Sequence, residues 1–109
     1  MSGGELAIDV FAAGTIVPSL AVFDGVAAGT IEMGHSASLF WVGKMPAAPL
    51  FCTVPFGLTP GQHMSWLARG GQALWDELYA PAGVKAFVGG NTGASAGGSK
   101  VQINHLAAG

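Results

Sequence analysis

A chain of 109 residues has room for one domain and no more. Half of the residues are hydrophobic, 9% are charged and the net charge is −2, against a charged fraction of ~25% in ordinary soluble domains. No basic patch exists, which excludes nucleic acid as a partner, and the low charge protects the surface poorly against association, so a homo-oligomer is one expectation.

The opening, MSGGELAID, lacks the basic region and apolar run of an export signal, and no run of eighteen apolar residues is present to span a membrane. As it stands the chain would be expected to stay in the cytoplasm. Leu6 to Phe11 alternates as LAIDVF and predicts a strand with Leu6, Ile8 and Val10 on one face. Pro18 suits a first helical turn, Leu20, Phe23, Val26 and Ala27 recur at helical spacing, and Gly29 ends that helix. Thr30 to Met33 reads as a second strand. Strand, helix and strand over roughly thirty residues predict a parallel pair with a right-handed crossover.

Residues 36 to 44 fit either a strand end or a short helix. Four prolines between Met45 and Pro60 leave room only for short extended pieces. Cys52 rules out an internal disulfide and, beside Leu50, Phe51 and Val54, reads as a buried inert thiol. Thr59 is an N-cap with Pro60 in the first helical position. The helix that follows runs to about Tyr79, with Trp66, Leu67, Leu74, Trp75 and Leu78 as its apolar stripe and Gly70-Gly71 marking a kink or a close contact. Val84 to Val88 is a third strand. After Gly89 the pattern dissolves into GGNTGASAGGSK, with a last weak strand from Lys100 to Ile103.

The chemistry-bearing residues are few. A phosphate loop needs Lys directly after its last Gly and a helix after the Lys; here Ser99 intervenes before Lys100, so Gly89 to Lys100 reads as a linker or a flexible turn. His35, His63 and His105 are too far apart for a metal site. His35 lies near Ser36 and Ser38, yet no acid orients it and no nucleophile elbow is present. Asp76 and Glu77 are adjacent on a helix and read as a solvated face. No catalytic residue, metal ligand or cofactor is assigned, and the chain reads as no enzyme. Phe40, Trp41, Phe51 and Phe56 read first as core, with pocket lining as the alternative because they follow a strand end.

Three stretches carry a resemblance: ELAIDVFAAGTIVPSLAVFDGVAAGTIEMGHSAS, LFWVGKMPAAPLFCTVPFGL and GQALWDELYAPAGVKAFVGGNTG. Together they resemble the first lobe of the solute receptors of tripartite ATP-independent periplasmic (TRAP) transporters, in the subgroup that binds α-keto and related organic acids. The resemblance covers residues 4–93; residues 94–109 form a divergent glycine-rich tail. It implies an α/β fold with a small, mostly parallel sheet and flanking helices, incomplete at its edges: residues 1–109 as a single partial domain. It also implies a periplasmic location, a small organic acid as ligand and a sodium-driven membrane permease as partner. The family's carboxylate-binding Arg falls beyond this chain, and Arg69 does not match it. Ser95 stands where the subgroup carries a Gln that reaches ligand and cation. Phe40, Trp41, Asn91 and Ser95 are the ligand contacts that the resemblance leaves in this chain, and a segment with one lobe wall is expected to be incompetent alone. The competing reading is a standalone, non-enzymatic module that self-associates.

Overall fold

The structure is a computed structural model; it describes residues 2–95 and 98–107, with side chains described through residue 90. Three strands form one sheet in the order β1–β3–β2, where β1 is Met33–Ser36, β2 is Val84–Ser95 and β3 is Gly98–Ala107. β3 is antiparallel to both neighbours, so β1 and β2 run in the same direction on either side of it. Register is set by pairs such as Met33↔Leu106 and Ser36↔Ile103 on one edge, and Val84↔Ala107 and Val88↔Ile103 on the other.

The α/β class with flanking helices stands, but the direct parallel pair does not form. Leu6 to Phe11 takes no strand, and Leu6, Ile8, Val10 and Phe11 all lie exposed. Among the described residues β1 is hydrogen-bonded to β3 alone, so its outer edge is open, and Leu6 to Phe11 does not pair with it. The expected strand at Thr30 to Met33 begins three residues later, because Thr30 and Ile31 spend their amides on the Gly25 carbonyl in a turn after the helix. The glycine-rich stretch is no linker over the described residues: β2 runs through Gly89 to Ser95 and β3 begins at Gly98, with register shifts at Val88/Gly90 and Asn91/Ala94. An antiparallel ladder needs only backbone groups, so small residues can extend it. Residues 96, 97, 108 and 109 of that stretch and tail lie outside the described residues.

Helix α1, Val22–Ala27, is preceded by a 3-10 turn at Ser19–Ala21 that starts after Pro18. It buries Phe23 and Val26, while Leu20 stays exposed. α1 rides close on β1: a Cβ at Gly34 would stand 2.3 Å from a Val22 methyl. The proline-rich stretch contains a 3-10 turn, Ala48–Phe51, rather than extended pieces alone; Pro49 sits in its first turn, where its missing N–H costs nothing.

Helices α2, Pro60–Trp66, and α3, Gln72–Tyr79, are joined by a π-helical turn, Leu67–Gly71. Thr59 caps α2 in a reciprocal capping box with Gln62, as the Thr-Pro start predicts. Gly70 takes φ 142°, which a side chain would resist, and produces the kink. At Gly71 an added Cβ would lie 2.8 Å from the Trp66 ring, so the close-contact reading holds as well. The buried face of this helical run is His63, Leu67, Gly71, Trp75 and Tyr79. The core joins Phe23 and Val26 to Trp41, Ala48, Phe51, Leu67, Trp75, Tyr79, Val84 and Ala86. Its rings interlock: Phe51 stacks on Trp75 at 5.3 Å, and Phe23 meets Tyr79 edge-on at 5.2 Å.

Candidate functional site

Immediately after β1 the chain makes a 3-10 turn, Ser38–Trp41, on which two of the expected contacts lie. Trp41 is buried. Its Nε1–H donates to Tyr79 Oη at 2.8 Å, and Tyr79 Oη donates to Ser38 Oγ at 3.1 Å. A buried indole N–H is costly without a partner, and this chain of two bonds ties the turn to α3. Phe40 precedes Trp41 and is 48% exposed, with its ring edge-on to the indole at 6.5 Å. The core thus holds Trp41 while the same turn holds Phe40 outward.

Asn91 and Ser95 both lie on β2, at Asn91↔Val101 and Ser95↔Gly98; their side chains lie outside the described residues. Ser36 and Val88 oppose the same β3 residue, Ile103. The backbone beyond Ser36 and the backbone beyond Val88 therefore leave at one end of the sheet. Phe40 follows the carboxyl end of β1, while Asn91 and Ser95 lie further along, on the part of the β2–β3 ladder that runs on past β1; α/β sheets generally receive ligands outside the carboxyl ends of their strands.

β2 is braced where it starts. Lys85 pairs with Asp76, and Gln72 Nε2 donates both to Asp76 Oδ1 at 2.9 Å and to the Ala86 carbonyl at 2.8 Å. Asp76 is thus half-buried and partnered, which corrects its reading as a solvated face; Glu77 alone is exposed. Spacing along the helix could not reveal this, because the partner lies nine residues on, across a turn.

The other sequence readings resolve by position. His35 faces outward on β1, while Ser36 and Ser38 are buried, so the three do not converge as a nucleophile and base. Lys100 lies within β3, with no helix after it, which ends the phosphate-loop reading. Cys52 is fully buried, 3.6 Å from Thr53 Oγ1. Of the aromatic group, Trp41 and Phe51 are core, whereas Phe40 and Phe56 are exposed.

Two features escaped the sequence. The first is His63, buried against Trp66 at 5.8 Å between ring centres. Burial pushes its pKa below the ordinary 6.5, opposed by a hydrogen bond to the Phe51 backbone. Its Nε2, with Trp75 Nε1, is a buried side-chain atom without a partner among the described residues. The spacing of four in His63, Leu67, Gly71, Trp75 and Tyr79 was the available signal. The second is a half-open apolar groove of about 500 Å³ between the Leu50 to Leu58 segment and α2, lined by Leu50, Val54, Phe56, Leu58, His63 and Trp66. No three His, Cys, Asp or Glu side chains converge among the described residues.

The chain matches the family of bacterial extracellular solute-binding proteins, family 7 (DctP), over residues 1–108, and it belongs to that family. It is 46% identical over 99 residues to a monocarboxylate 2-oxoacid-binding periplasmic protein of Nostoc sp., a match spanning 90% of this chain and 27% of that protein. A TRAP transporter solute-binding protein from Bordetella bronchiseptica, crystallised as a dimer with calcium and picolinate at one site and an apo site, superposes with a TM-score of 0.79. It is 35% identical, over 83% of this chain and 27% of that one. A TRAP periplasmic solute-binding protein from Pseudoalteromonas atlantica with bound sodium and pyruvate gives a TM-score of 0.67 at 45% identity, over 69% of this chain and 23% of that one. The chain therefore spans about a quarter of the length of these relatives. No helix among the described residues is long and apolar enough to cross a membrane.

Proposed function

We propose that this chain is a first-lobe segment of a periplasmic receptor that captures small 2-oxoacids and related monocarboxylates for a TRAP permease, and that it catalyses no reaction. The observation that carries the reading is the family match over residues 1–108 joined to a relative that binds monocarboxylate 2-oxoacids. The site geometry supports it. Phe40 is an exposed aromatic just past the carboxyl end of β1, and Asn91 and Ser95 lie on β2 beyond the level of that end. Trp41 belongs to the same contact set through its neighbour: fixed to Tyr79, it sets the turn that carries Phe40.

Capture of a carboxylate also needs a cation. A buried carboxylate is held best by a bidentate guanidinium, and Arg69, the chain's single Arg, lies exposed on the π-helical turn. The anchor and the opposing wall come from the remainder of the receptor, whose two lobes close on the ligand. The test is a chimaera in which this chain replaces the 99 matched residues of the Nostoc relative. Calorimetry should then show pyruvate binding that weakens at least tenfold in Phe40→Ala. A folded chimaera that ignores pyruvate, 2-oxobutyrate and lactate refutes the reading.

A further inference from the structure

The turn that presents Phe40 is pinned at both ends to one atom. Ser38 opens the turn and Trp41 closes it. Both hydrogen-bond Tyr79 Oη, Ser38 at 3.1 Å and Trp41 at 2.8 Å. Leu39 and Phe40 are the two residues held between them. The polarity of the pair follows from the indole, which can only donate: the phenol oxygen accepts from Trp41, and its own proton goes to Ser38. All three side chains are buried, where such bonds are stronger than at a wet surface. Phe23 of α1 packs on both rings, 5.2 Å from each centre, so packing braces the indole and the phenol together.

The pin also has a fixed frame. Tyr79 is the last residue of α3, and over the two turns before it α3 is tied to β2. Gln72 Nε2 donates to the Ala86 carbonyl at 2.8 Å, and Asp76 pairs with Lys85. Tyr79 therefore refers the turn after β1 to the helix that lies on β2.

We infer that Tyr79 is a positioning residue for ligand capture: through Ser38 and Trp41 its hydroxyl sets the direction in which Phe40 is presented. Tyr79 is buried and touches no ligand itself. The inference rests on the receptor reading, in which Phe40 is a ligand contact. A contact ring whose backbone is set before the ligand arrives has less freedom to lose on binding, and the hydroxyl supplies that gain.

A double-mutant cycle in the chimaera with the Nostoc relative tests it, read as the pyruvate dissociation constant by calorimetry. Tyr79→Phe keeps the ring and removes both bonds. It should weaken pyruvate binding about tenfold when Phe40 is present and less than about twofold in a Phe40→Ala background, because it acts through Phe40 alone. Ser38→Ala removes one of the bonds from the other side and should show the same dependence on Phe40. Thr59→Ala opens the capping box of α2, away from the turn. It should lower the melting point and leave pyruvate affinity unchanged, which separates positioning from lost stability. Equal weakening by Tyr79→Phe with and without Phe40, an equal affinity loss in Thr59→Ala, or normal affinity in both folded Tyr79→Phe and Ser38→Ala overturns the positioning role and leaves the receptor reading standing. A folded wild-type chimaera that ignores pyruvate overturns both.

Discussion

Tyr79 is the residue on which the site turn depends most. Its hydroxyl accepts from Trp41 and donates to Ser38, all three buried. Tyr79→Phe keeps the ring packing on Phe23 and Trp75 but strands the indole N–H and the serine hydroxyl. Leaving buried groups unpaired costs about 1–3 kcal/mol, and urea unfolding should show a loss in that range; an unchanged midpoint would mean that the two bonds contribute nothing. His63 gives a pH signature. Its folded pKa lies below the ordinary 6.5, so the folded state resists a proton that the unfolded chain accepts. Stability is then complete above pH 6.5 and falls as the pH drops through that value towards the folded pKa. His63→Asn, which can keep a donor for the Phe51 backbone, should flatten this acid limb of the melting profile. A parallel slope in wild type and variant would contradict it. Neither residue belonged to the expected apolar stripe of Trp66, Leu67, Leu74, Trp75 and Leu78; the buried face runs through His63 and Tyr79 and leaves Leu74 exposed, and only packing could tell that Trp41 faces inward and Phe40 outward.

At the scale of elements, the legible parts were those whose signals are local. The Thr59-Pro60 start, the Gly70 kink and the end of α1 near Gly29 each follow from one or two residues and their backbone needs. Elements that depend on a distant partner were not legible. Leu6 to Phe11 has the alternation of a strand but does not join the open edge of β1, and the glycine-rich ladder of β2 and β3 pairs without alternation. The contact of α1 with β1 tests this packing. Gly34→Ala puts a methyl 2.3 Å from Val22, and overpacking of this kind costs about 1–3 kcal/mol. Chemical denaturation should register it; a neutral result would mean that α1 is not seated on β1. Breaking the Asp76–Lys85 pair should matter less. Both side chains are partly exposed, so Asp76→Asn should cost about 0.5–1 kcal/mol.

At the scale of the molecule, the chain has a core and, on the proposed reading, one wall of a binding site. Class, family resemblance, the flanking helices and the neighbourhoods of β1 and β2 could be read from residues 4–93; the central strand β3 lies outside that stretch, and the apolar grooves could not be read because their residues are scattered over the Leu50 to Leu58 segment, α2 and α3. The exposed apolar side chains from Leu6 to Leu20 and around Leu50 also predict concentration-dependent association of the isolated chain. Light scattering across a hundredfold dilution should show the apparent mass falling; a constant monomer mass would mean that these surfaces are inert.

The most direct test of the account is calorimetry of the isolated 109-residue chain with pyruvate. A wall that lacks the carboxylate anchor and the facing lobe should give no heat of binding below millimolar ligand. Saturable micromolar binding, one pyruvate to one chain, would contradict the claim that this segment holds only part of the site.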